Sequence, residues 1–150
     1  MTQGEAPRAT ALRGVAQVRV ARPTDRLEAM VGFWRDAIGL TEIGRFADHA
    51  GYDGVMLGLP GSGWHLEFTH HRDGSPPPPP DPESLLVLYF PDAGRRDAVV
   101  AGLAALGHHP VAPRNPYWRR HAVQVNDPDG WGVMLVAGEG LAGSGRLAGG

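Results

Sequence analysis

The sequence has no cysteine and no lysine, and no long hydrophobic run. Without cysteine there can be no disulfide scaffold, thiolate zinc site, iron–sulfur cluster or cysteine nucleophile. Any metal must be held by His, Asp, Glu, carbonyl oxygen or water. All 14 basic residues are Arg, which removes lysine Schiff-base chemistry. No apolar stretch approaches the roughly 18 residues of a membrane span, and Met1 to Thr10 carries no apolar signal core. No membrane partner is therefore expected, and the expected location is the cytoplasm. The 14 basic residues are balanced by 16 acidic ones, for a net charge of −2, so nothing draws the chain to a phosphate backbone and no nucleic-acid partner is expected. Also missing are a Gly-x-Ser-x-Gly turn between strand and helix and a dinucleotide-binding glycine fingerprint.

What is present is a chain of 150 residues, 42% hydrophobic, long enough to bury roughly 68–70% of its unfolded surface in one core. The break in its patterning lies at Asp73-Gly-Ser-Pro-Pro-Pro-Pro-Pro-Asp-Pro82. Prolines lack N–H donors and fix φ, so neither helix nor sheet ladder runs through them, and a stiff polyproline spacer is expected. On either side the same order of signals recurs. A β-rich run (Val15 to Val20; Leu85 to Phe90) leads into a helix. In the first half Asp25 is the N-cap candidate, and Leu27, Met30, Val31, Trp34 and Ile38 recur at helical spacing before Gly39. In the second, Asp92 caps a helix through Val99, Val100, Leu103 and Leu106, ended by Gly107. Strand-like segments follow: Thr41 to Ala47, Tyr52 to Leu59 and Trp64 to Thr69, then Pro110 to Ala112, His121 to Asn126 and Gly132 to Val136, with Asp127-Pro-Asp-Gly130 as the last turn. Each half thus reads β-α-β-β-β, a paired, pseudo-symmetric α+β domain over residues 13–137. Its parts are module one (13–70), a proline-rich linker (71–82) and module two (83–137), with loose tails at 1–12 and 138–150.

Two stretches, Phe33-Trp-Arg-Asp-Ala-Ile-Gly-Leu40 and Asn126-Asp-Pro-Asp-Gly-Trp-Gly-Val-Met-Leu135, resemble the signatures of the vicinal oxygen chelate superfamily. That superfamily includes glyoxalase I, bleomycin-resistance proteins, fosfomycin-resistance enzymes and extradiol dioxygenases. The resemblance implies two tandem modules whose curved mixed sheet encloses a cavity, commonly in a homodimer. It also implies a divalent metal (Zn, Ni, Mn or Fe) held from the first and last strands of each module. Carried over residue by residue, the metal pattern is incomplete. Glu67 stands at the carboxylate position of module one, but Met134 stands where module two should offer a glutamate, and a thioether suits hard divalent ions poorly. The first-strand ligand of module one falls on Gln17, Val18 or Arg19, and that of module two on Ser84 or Leu85.

On a strand, His65, Glu67 and Thr69 share a face opposite Trp64, Leu66 and Phe68. His65 and Glu67 are therefore candidates for an acid–base pair, with Glu67 also a lone metal ligand; the alternative is hydrogen bonding that supports neighbouring strands. His70 and His71 face opposite ways and read as solvent-exposed. In Arg114-Asn-Pro-Tyr-Trp-Arg-Arg-His121, aromatic area and forked donors lie together, and Tyr117, Trp118 and Arg119, with Arg19 and Met134, are candidate contacts for a small molecule. The leading expectation is a small-molecule-binding protein without the full metal site. The alternative is a divalent-metal-dependent lyase, isomerase or dioxygenase of the glyoxalase type.

Overall fold

The computed structural model describes residues 13–141. The tail expected at 1–12, and residues 142–150 of the other, lie outside the described residues. Among the described residues two sheets and two helices make an α+β arrangement of tandem modules. Strand β1 (Val18–Pro23) leads to helix α1 (Leu27–Val31), which widens into a π-helical segment over Gly32–Ala37. Strands β2 (Thr41–His49), β3 (Tyr52–Gly58) and β4 (Trp64–His71) complete module one. Module two consists of β5 (Leu85–Phe90), α2 (Ala93–Ala105), a 3₁₀ turn at Pro116–Arg119, β6 (Ala122–Asn126) and β7 (Gly132–Ala137). No helix among the described residues is long and apolar enough to cross a membrane.

The sheets share one plan. Sheet one runs β1-β4-β3-β2 and sheet two β5-β7-β6, with the first strand of each module parallel to its last. The Pro110 to Ala112 strand is reduced to a single antiparallel bridge of Val111 to Gln124. Pro110 and Pro113 flank Val111 and lack the N–H a ladder needs, so pairing stops at one residue. Val111 still donates to the Gln124 carbonyl at 2.9 Å, standing where β2 stands in sheet one.

Asp92 caps α2 as expected, its carboxylate accepting from the Gly94 and Arg95 N–H groups. Asp25 does not cap α1. Arg26 is the residue at the N-cap, without a side-chain cap, and the Asp25 carboxylate instead accepts from the Ser75 N–H while lying 3.3 Å from His70 Nδ1. Asp25 thus ties the start of the proline segment to the β1–α1 turn. The helix beyond departs from α-geometry: the Ile38 N–H reaches back five residues to the Phe33 carbonyl (2.8 Å), and Gly39, at φ +100°, ends it. The wider turn lets adjacent Phe33 and Trp34 both be buried. Phe33 meets the His108 ring edge-on from module two, while Trp34 stacks on Phe68 of β4. Both rings belong to one core with Met30, Leu66, Leu103, Val125, Val133 and Leu135, contributed by both modules.

A second tie between modules closes the β6–β7 hairpin. Asp127 is buried, and its Oδ1 accepts from the Asp129 and Trp131 N–H groups, both at 3.0 Å. Its Oδ2 lies 3.8 Å from the Arg22 guanidinium of β1, which rests 4.5 Å above the Trp131 ring.

Candidate functional site

Strand β4 alternates as its sequence suggests. Leu66 and Phe68 enter the core, Trp64 packs against it, and His65 and Glu67 project from the other face. The β1–β4 register sets Arg19 beside His65 and Ala21 beside Glu67. Arg19, rather than Gln17 or Val18, is therefore the first-strand residue that joins the polar face. Its Nε donates to His65 Nε2 at 2.9 Å and its Nη1 to Glu67 Oε2 at 3.1 Å. His65 is only 4% exposed. It fits so closely because β3 places Gly58 opposite, where a β-carbon would come within 2.9 Å of both His65 Cβ and the Trp64 carbonyl. The Glu67 side chain is 12% exposed, and Arg19 covers it from the open edge of the sheet.

The shared strand order allows the two modules to be compared position by position. With Met134 set against Glu67, Gly132 takes the place of His65, and Leu85, the β5 partner of Gly132, takes the place of Arg19. The Arg–His–Glu group of module one is thus Leu–Gly–Met in module two. Met134 is fully buried, between Val87 of β5 and Gln124 of β6. Leu85 and the Gln124 carboxamide close over Gly132, each within 2.8 Å of where its β-carbon would stand. Gln124 Nε2 donates to Asn126 Oδ1 at 3.0 Å, while its buried Oε1 has no hydrogen-bond partner among the described residues. Gln124, Asn126, Arg114, Val111 and Pro80 line a cleft of about 350 Å³. An apolar cleft of about 430 Å³, lined by Leu40, Leu59, Trp64, Leu86, Leu88 and Phe90, runs along β5. Gln124 and Asn126 escaped the sequence reading, although polar residues alternating with Val123 and Val125 already marked one face of β6 as different from the core face.

The remaining candidates sit apart. Tyr117, Trp118 and Arg119 occupy the 3₁₀ turn, where Asn115 Oδ1 accepts from the Tyr117 N–H at 3.0 Å and the two rings meet edge-on at 5.0 Å. Tyr117 and Arg119 are exposed and Trp118 is half-buried. Among the described residues no side-chain hydrogen bond joins this turn to Arg19, His65 or Glu67. His70 and His71 do face opposite ways but are half-buried rather than exposed. His70 Nδ1 bonds the Thr24 carbonyl at 2.9 Å, and the His71 ring packs edge-on to Tyr52.

The donor chemistry does not fit a divalent metal. His65 Nε2 and one of the two Glu67 carboxylate oxygens accept from a guanidinium, and the module-two counterpart is a thioether. Among the described residues no three His, Asp or Glu side chains lie close enough together to hold an ion.

Comparison with known proteins agrees with the fold. Residues 18–69 match the YycE-like N-terminal domain family and residues 83–137 the YycE-like C-terminal domain family. The YycE protein of Bacillus subtilis (strain 168) is 44% identical over 128 residues, 85% of this chain and 92% of its own. A crystal structure of a Bacillus subtilis YycE protein superposes with a TM-score of 0.82 at 43% identity, covering 87% of this chain and 95% of that one. More distant structures share the fold. TnmS3, an antibiotic binding protein from Streptomyces sp. CB03234, has a TM-score of 0.60 at 19% identity over 83% of this chain and 97% of its own. The trypanothione-dependent glyoxalase I of Leishmania major has a TM-score of 0.65 at 16% identity over 81% and 86%.

Proposed function

Because the chain belongs to the YycE-like family and has the fold of the glyoxalase/bleomycin resistance/dioxygenase superfamily, we propose that it binds a small organic molecule in the cytoplasm without the superfamily's usual metal set. The observation that carries this reading is the asymmetry of the two modules: Arg19, His65 and Glu67 on one face, Leu85, Gly132 and Met134 at the matching positions of the other. A chelating cage needs donors from both modules. A polar group on one sheet, with apolar residues and one buried carboxamide at the counterpart positions of the other, suits instead an amphipathic ligand, most of whose binding comes from buried area and whose orientation comes from a few polar groups. An antibiotic-binding structure on the same fold supports this class of ligand.

Residues 13–137 act as one binding unit, completed by a second copy of the chain. β1 and β5 are edge strands, and Val18, Val20 and Tyr89 on them are 55%, 44% and 44% exposed. Open apolar edges of this kind call for a partner strand. Tyr117, Trp118 and Arg119, on the turn that follows Arg114 of the cleft, offer a bound molecule ring area and a forked donor.

The test is a binding screen of aromatic antibiotics, bleomycin among them, by ligand-observed NMR, on protein whose dimeric mass has been checked by light scattering. Glu67→Gln keeps the shape of the side chain and removes its charge. It should weaken a bound ligand at least tenfold, about 1.4 kcal/mol, with little loss of stability. Unchanged affinity for a confirmed ligand would remove Glu67 from the site.

A further inference from the structure

We propose that Arg19 is a resident cation that closes the donor face of module one to divalent metals; this rests on the small-molecule reading above. His65 Nε2 and the Glu67 carboxylate are the groups on this face that could bind a metal together. Both accept from one guanidinium, at 2.9 and 3.1 Å. A guanidinium is planar and always charged, and its forked donors serve both acceptors at once, which an ammonium on a flexible stem would not do with the same fixed geometry. The backbone dictates the arrangement, because Arg19 and His65 are direct partners across the parallel β1–β4 pair, with strands about 4.8 Å apart.

Two consequences follow from the chemistry of the donor. Since Arg19 cannot accept a hydrogen bond, His65 Nε2 is the acceptor, and its lone pair is committed to the guanidinium. A divalent ion arriving at the face would have to expel a cation already bonded to the carboxylate and then sit beside it. A ligand meets the N–H groups of a fixed guanidinium here instead of a Lewis acid.

The test is calorimetric titration of Ni²⁺ and Zn²⁺ into the full chain and into Arg19→His, with Arg19→His/Glu67→Gln as control. Wild type should show no stoichiometric binding. Arg19→His, which removes the blocking cation and sets an imidazole beside His65, should bind one ion per chain at least 100-fold more tightly than wild type, and the added Glu67→Gln should abolish the gain. Independently, ¹⁵N NMR of wild type should show His65 Nε2 as a hydrogen-bond acceptor, its signal shifting when Arg19 is replaced. A folded Arg19→His that gains no affinity, or a protonated His65 Nε2, would overturn the proposal while leaving the small-molecule reading standing. Wild type that binds one ion as tightly as the variant would overturn both. Failure of the antibiotic screen would sink only the ligand reading.

Discussion

Replacing Trp34 with alanine should cost about 3–5 kcal/mol of folding stability, the usual price of emptying a fully buried aromatic site. Trp34 has no exposed surface, stacks on Phe68 with centroids 6.1 Å apart, and meets Phe33 edge-on at 5.2 Å. Phe33 in turn reaches His108 in module two. Loss of the indole therefore loosens the helix that packs on β3 and β4 of sheet one and against α2 of module two. Against a total of about 5–15 kcal/mol for a typical domain, this is a fifth or more of the stability. At roughly 2–4 °C per kcal/mol for a chain of this size, thermal unfolding should move down by about 6–20 °C. Trp34→Phe is the informative control. The indole N–H is buried without a partner among the described residues, so phenylalanine removes an unsatisfied donor as well as some volume, and the two effects oppose each other. The phenylalanine variant should lose well under half of what the alanine variant loses in urea unfolding. Equal losses would show that the indole N–H is hydrogen-bonded and that this bond, rather than the volume of the ring, carries the contribution of Trp34.

Asp127→Ala should be the second most damaging change, at about 2–4 kcal/mol. It removes an oxygen that accepts two backbone N–H groups of the β6–β7 turn and leaves Arg22 against Trp131 without its counter-charge. Asp127→Asn should cost much less, since the amide oxygen can keep both turn bonds. Burial pushes the Asp127 carboxyl above the usual carboxylate range, outweighing the turn hydrogen bonds and Arg22, and burial likewise lowers Arg22. The folded state therefore holds the Asp127 proton more tightly than the unfolded chain. The stability this group contributes is fully present below its unfolded pKa and is lost as pH rises through the raised folded value. Urea unfolding of wild type and Asp127→Asn across that window should show the difference moving in favour of wild type as pH falls. A difference that moves the other way would mean that Arg22 dominates and holds the carboxyl down.

The periodicity of the sequence reveals most of the architecture, because alternation and helical spacing are local consequences of burial. β5 spans Leu85–Phe90, as its apolar run suggests, and the helix from Asp92 follows its cap. Position 25 failed for a reason that local pattern cannot contain: the Asp25 carboxylate is drawn to the Ser75 N–H, 50 residues away. The π-helical widening was equally hidden, since it arises where Phe33 and Trp34 must face different modules. At the site, the shared face of His65 and Glu67 was visible in β4, while the choice among Gln17, Val18 and Arg19 as their partner depended on the β1–β4 register. A sequence shows which residues alternate on a strand, and only the neighbouring strand shows that the basic one lies against the acidic one.

A scaffold that works with a guanidinium where a metal would be expected should carry no metal when purified. Elemental analysis of untagged protein, purified without chelators and compared with Glu67→Gln prepared in parallel, should find far less than one equivalent of nickel, zinc, manganese or iron per chain in both. About one tightly held ion per wild-type chain, lost in Glu67→Gln, would contradict the account.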